Sequence, residues 1–100
     1  MNIQIHSINF TADQKLKELI EQKSAKLEKV TDRIIDCEVF LKLDNNASSV
    51  REKIAEIKIK VPGNSLFASA ESKSFEESFD SAQQSISKQL KKWKEKAQAK

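Results

Sequence analysis

The chain has 100 residues, 38% apolar and 33% charged, with 18 Lys+Arg against 15 Asp+Glu, a net charge of +3 and a pI near 9.0. One Gly, one Pro and one Cys exclude collagen-like or low-complexity sequence, a glycine-rich phosphate loop, an intrachain disulfide and a cysteine-based zinc site. Its length suits a single domain, no apolar run approaches the ~18 residues of a membrane span, and Met1-Asn2-Ile3-Gln4 is too polar for a secretory signal, so the reading is a soluble, cytoplasmic domain.

Residues 2–8 alternate Ile3 and Ile5 against Gln4 and His6, as a short strand does. A helix is expected from residue 12 or 14 to 30. Thr11 with Gln14 resembles a capping box, and Asp13 is an equally good cap. Leu16, Leu19, Ile20, Leu27 and Val30 make its apolar stripe. Residues 34–43 switch to period two, with Ile35, Cys37, Val39, Leu41 and Leu43 on one face and Ile34 and Phe40 among the polar residues of the other. The segment 44–49 reads as a turn. A third strand over 53–61 points Ala55, Ile57, Ile59 and Val61 inward. Val61-Pro62-Gly63-Asn64 carries the Pro-Gly signature of a type II turn, and residues 65–72 form a fourth strand with Leu66, Ala68 and Ala70 toward the core.

Ser74 with Glu77 is a second capping box. In the helix that follows, Phe75, Phe79, Ala82, Ile86, Leu90, Trp93 and Ala97 lie within ~40° of one line at ~100° per residue. They read as a core stripe rather than a row of base-stacking aromatics. Short turns make the last three strands an antiparallel meander, and the intervening helix sets the first strand parallel to the second. The expected fold is therefore α+β, ordered β-α-β-β-β-α, with two helices on one face of a four-stranded mixed sheet. Residues 1–97 form the domain, and 98–100 a disordered basic tail.

Charge is unevenly placed. Residues 1–87 hold 12 Lys/Arg and 14 Asp/Glu, whereas residues 88–100 hold six lysines against Glu95 alone. Helix-dipole compensation needs only one or two terminal lysines, so the block points to an anionic partner, most commonly nucleic acid. On the first helix, Lys15, Lys23, Lys26 and Lys29 sort onto one flank while Asp13, Glu18, Glu21, Glu28 and Asp32 take the other, with Lys17 among them. Lys23 falls inside the apolar stripe, its ammonium expected to snorkel out to the basic flank. Arg33 extends the same edge. The candidate RNA-binding residues are thus Lys23, Lys26, Lys29, Arg33, Lys88, Lys91, Lys92 and Lys94. Phe40 and Phe67 are too few for the stacking platform of an RNA-recognition motif, so shape- and charge-driven binding to structured RNA is expected.

Chemistry of other kinds has little support. His6 is the only histidine, nothing in the sequence places it beside Cys37, and Cys37 sits at an apolar strand position where free cysteine is ordinarily a small core residue. No Walker loop, nucleophile motif or paired histidines at metal spacing occur, so an enzyme, a cofactor, a metal or a small-molecule substrate is not expected.

Several segments, in order over residues 2–96, resemble the ribosome hibernation-promoting factor family, which includes protein Y, the ribosome-associated inhibitor. They are Leu16-Lys17-Glu18, Lys23-Ser24-Ala25-Lys26-Leu27-Glu28, Asp32-Arg33-Ile34, Val61-Pro62-Gly63-Asn64, Ala68-Ser69-Ala70-Glu71-Ser72 and Lys88-Gln89-Leu90-Lys91-Lys92-Trp93-Lys94. Members have also been labelled sigma-54 modulation proteins. The resemblance implies a double-stranded-RNA-binding-like domain that occupies the messenger and transfer RNA channel of the small ribosomal subunit and stabilises inactive ribosomes under stress. It maps basic positions onto Lys23, Lys26, Arg33, Lys88, Lys91, Lys92 and Lys94. The chain departs at Ser24, where a large apolar residue is usual, at Val30-Thr31, a frequently aromatic pair, and at Lys88, commonly arginine. Without a dimerising domain or acidic tail it is most similar to the short form, which implies ribosome pairing with a separate modulation factor. The competing readings are a generic structured-RNA-binding or protein-interaction domain and, third, a small enzyme using His6 or Cys37.

Overall fold

A computed structural model of the chain describes residues 1–44 and 52–98. The elements are β1 (Asn2–Ile8), α1 (Gln14–Ala25), a 3-10 turn (Lys26–Lys29), β2 (Asp36–Asp44), β3 (Glu52–Val61), β4 (Asn64–Ser72) and α2 (Phe75–Gln98). The strands lie side by side in sequence order, β1 parallel to β2 and the rest antiparallel. This is the expected β-α-β-β-β-α mixed sheet. Cys37, Val39 and Leu41 of β2 and Ala55, Ile57, Ile59 and Val61 of β3 share one core with Ile20 and Leu27 of the first helical segment and Phe79, Ala82, Ile86 and Leu90 of α2. Both helical segments therefore cover the same face.

Local signals set the ends of these elements. Asp13, rather than Thr11, caps α1: its Oδ1 accepts the Leu16 N–H at 2.8 Å. The Ser74 hydroxyl accepts the Glu77 N–H at 3.1 Å and starts α2. Val61 and Asn64 pair across the two-residue Pro62-Gly63 turn, where Gly63 adopts φ +77°, the positive value a type II turn requires. Phe10 stacks on Phe75 with ring centroids 4.6 Å apart, pinning the β1–α1 connection to the start of α2.

Two expectations are corrected. The alternation of β2 begins only at Asp36, so Ile34 is buried at 6% exposure and Ile35 stands 46% exposed, the reverse of the expected faces. Period two holds only where the backbone is pleated into the sheet, and these residues precede it. The first helix also stops being α-helical at Ala25, not residue 30. Lys26 N–H turns back to the Lys23 carbonyl, and Gln83 of α2 donates its side-chain amide to that same oxygen. A continuing α-helix would have given it to Leu27 N–H. A partner from α2 thus tightens the last turn. The expected turn over 44–49 falls, after Asp44, outside the described residues, as do positions 99 and 100 of the expected tail; α2 itself runs through Gln98.

Candidate nucleic-acid interface

The apolar stripe of α2 decides where its lysines point. Taking Leu90 as zero at ~100° per residue, Asp80, Gln83, Gln84, Ser87, Lys88 and Lys91 fall between ~20° and ~160°, the flank beside the buried line. That flank faces the end of the first helical segment. Between them runs a groove of about 500 Å³, with Lys26 and Leu27 on one wall and Lys88, Lys91, Ser87 and the two glutamines on the other. The structure thus brings Lys26, Lys88 and Lys91 to one concave surface. Lys29 and Lys92 are exposed and do not line it.

The remaining sequence candidates are engaged within the fold. Lys23, its side chain 18% exposed, does not snorkel to the basic flank: Nζ contacts Asp80 Oδ1 at 2.5 Å and Glu76 Oε1 at 3.8 Å across the helix–helix gap. Lys94 Nζ donates to the Val30 carbonyl at 2.8 Å, satisfying an acceptor beyond the 3-10 turn. The Arg33 guanidinium sits 5.0 Å from the centre of the Trp93 ring. These three contacts tie the first helical segment and its exit to α2. Among the described residues, Lys26, Lys29, Lys88, Lys91 and Lys92 form no ion pair.

Sequence reasoning missed Asp80, Gln83, Gln84 and Ser87 as parts of the groove. A wheel of α2 drawn for its flank rather than its stripe would have found them. The odd placement of Lys23 in an apolar stripe was the signal for a buried-edge carboxylate partner. Ser24, at a position where the family resemblance implies a large apolar residue, is fully buried, and its hydroxyl has no hydrogen-bond partner among the described residues.

The opposite face of the sheet has a different electrostatic character. Cross-strand register sets Asp36 against Lys60 and Glu38 against Lys58, Lys42 meets Glu56 at 3.0 Å, and His6 Nε2 lies 3.2 Å from Glu38 Oε2. Phe40 is stacked beneath His6 at 4.9 Å, and Phe67 is 51% exposed two strands away. Opposite charges cancel there, whereas the groove gathers lysines.

His6 and Cys37 lie on opposite faces of the sheet, so the two side chains do not meet as a Cys–His pair. Burial pushes the Cys37 thiol up to about 11, with the Glu38 carboxylate adding to the effect. The protonated thiol is inert, so a thiol reagent at pH 8 is expected to label the unfolded chain fully and the native one only on unfolding. The unfolded thiol, near 9.0, ionises first, so stability is unaffected by this group below that pH and falls as pH rises from 9.0 toward 11. Rapid native labelling would contradict the burial. Among the described residues no cluster of His, Cys, Asp and Glu is placed to hold a metal, and no helix is long and apolar enough to cross a membrane.

Residues 3–98 match the family model described as sigma 54 modulation protein / S30EA ribosomal protein. The chain is 26% identical over 91 residues to the ribosome hibernation promotion factor of Deinococcus radiodurans, covering 91% of this chain and 48% of that one. It is 27% identical over 99 residues to the ribosome hibernation promoting factor of Pseudomonas putida, covering 99% of this chain and 92% of that one. It therefore spans about half of the first relative and most of the second. The fold superposes on the N-terminal domain of Thermus thermophilus Protein Y with a TM-score of 0.80 at 23% identity, covering 93% of this chain and 99% of that one. A ribosomal subunit interface protein from Coxiella burnetii gives 0.78 at 26%, covering 94% and 98%.

Proposed function

Because this chain belongs to the sigma 54 modulation protein / S30EA ribosomal protein family, we infer that it is a non-enzymatic, ribosome-bound hibernation factor. The observation that carries its mode of binding is the groove between the two helical segments, where Lys26, Lys88 and Lys91 converge. In this reading the lysines grip phosphates of small-subunit ribosomal RNA within the messenger and transfer RNA channel, residues 1–97 being the ribosome-binding domain. Occupancy there blocks initiation and holds ribosomes inactive in the cytoplasm, and a separate modulation factor assists their pairing.

The physics supports phosphate rather than base recognition. Lysine ammonium groups act as point charges that displace condensed counterions. Arg33, the one described arginine and so the one described side chain able to make a bidentate fork, is occupied on Trp93. With the three groove lysines engaged and one or both of the exposed Lys29 and Lys92 joining them, log Kd should vary with log salt at a slope of about 3 to 4 in magnitude.

Sucrose-gradient co-sedimentation tests this. The protein is expected to travel with small subunits or whole ribosomes at low salt and to return to the free fraction at high salt. A wholly free protein at low salt would overturn the reading. Equal affinity for an unrelated structured RNA would favour the generic RNA-binding alternative.

A further inference from the structure

Asp80 lies in the wall of a groove that is otherwise basic, and its Oδ1 is the atom that Lys23 reaches. A bare carboxylate there would repel any phosphate entering between Lys26 and Lys91. Lys23 cannot serve the groove as an independent cation, because its ammonium lies between Asp80 and Glu76 and its side chain is mostly covered. The same residue's carbonyl is held by Gln83, so the backbone carrying the ammonium is fixed to α2 as well.

We propose that Lys23 is a positioning residue rather than a phosphate contact: it is the fixed counter-ion of Asp80, and this pair sets the anion affinity of the groove. The inference rests on the RNA-binding reading above. Two consequences follow from charge alone. Removing Lys23 leaves the Asp80 carboxylate facing incoming phosphate, and at the few ångströms involved one uncompensated charge weakens binding by about fivefold to tenfold. Removing the charge of Asp80 instead leaves Lys23 only its longer contact with Glu76 at 3.8 Å, makes the groove more positive and tightens binding, a direction that loosening of the fold cannot produce.

The test measures affinity for purified small ribosomal subunits, and its salt slope, for Lys23→Ala, Asp80→Asn and the double variant. Lys23→Ala should bind about fivefold to tenfold more weakly and Asp80→Asn more tightly than the parent. The double variant should return close to the parent affinity with an unchanged salt slope. If Lys23 touches a phosphate, the double variant stays as weak as Lys23→Ala and its slope falls by about one; that result overturns the inference. Lys26→Ala and Lys88→Ala, measured alongside, keep the two levels apart. Loss of binding in those variants with no rescue in the double variant sinks the counter-ion role alone, whereas parent-like binding in both sinks the groove itself. Thermal melts of all variants report any that fail to fold, and for those Lys23→Gln replaces Lys23→Ala.

Discussion

Replacing Lys88, Lys91 and Lys92 together by Glu is expected to abolish small-subunit binding, with a loss of at least ~1,000-fold at physiological salt. Each substitution removes one attraction and adds one repulsion, a six-unit change on one helix, four units of it in the groove wall at Lys88 and Lys91. The fold should survive. All three side chains are exposed, off the line of Ile86, Leu90 and Trp93, and Lys and Glu have nearly equal helix propensity. Circular dichroism and a thermal melt should match those of the parent. Net charge as such is controlled by reversing Lys17 and Lys73, which are also exposed but lie outside the groove. That variant should lose far less affinity per charge. Unchanged binding in the triple variant would remove α2 from the interface, and an equal loss per charge in the control would make the attraction diffuse rather than seated in the groove.

The elements that were legible in the sequence are those whose causes are local. The Ser74 cap on the Glu77 N–H and the long stripe from Phe75 to Ala97 specify α2 through contacts three and four residues apart. The reciprocal half of the expected box is absent because the Ser74 N–H donates to Ser72 Oγ. The Pro62-Gly63 turn is specified through one positive φ. What the sequence hid came from elsewhere in the chain. The first helical segment tightens at Lys26 because Gln83 takes a carbonyl from its ladder, a partner 60 residues away. The faces of Ile34 and Ile35 depend on where β2 joins the sheet, which their own alternation does not encode. The site divides in the same way. Charge sorting on the wheel of the first helix singled out Lys26, and the lysine block at the end of the chain singled out Lys88 and Lys91, all three of which the fold brings to the groove. The same signals also collected Lys23, Arg33 and Lys94, whose positive charges are indistinguishable in sequence from the others. Their partners Asp80, Trp93 and the Val30 carbonyl become neighbours only once the helices dock. A basic residue count therefore overestimates the number of cations available to a polyanion.

The same docking fixes which aromatic residue carries the core. Phe79→Ala is expected to destabilise the domain by about 3–5 kcal/mol, since Phe79 is fully buried among strands and helices and its removal costs both transfer free energy and an unfilled cavity. Trp93, on the same stripe, invites the same figure from its size, yet it is only half-buried and one face of its ring is covered by Arg33. Trp93→Ala loses part of a transfer term and a cation–π contact of about 0.5–1 kcal/mol, and opens to solvent rather than to a closed void, so about 2 kcal/mol is expected. Urea unfolding followed by far-ultraviolet circular dichroism compares the two, with Trp93 fluorescence as a second probe in the Phe79 variant. Domains of this size hold only about 5–15 kcal/mol, so Phe79→Ala can approach the limit of folding. Ile86→Val, expected to cost about 0.5–1.5 kcal/mol, then reports the same core at a measurable scale. A Trp93 variant as unstable as Phe79→Ala would put the tryptophan in the centre of the core. One that kept parent stability while losing ribosome binding would move it into the interface, and the rim position that links Arg33 to α2 would have to be abandoned.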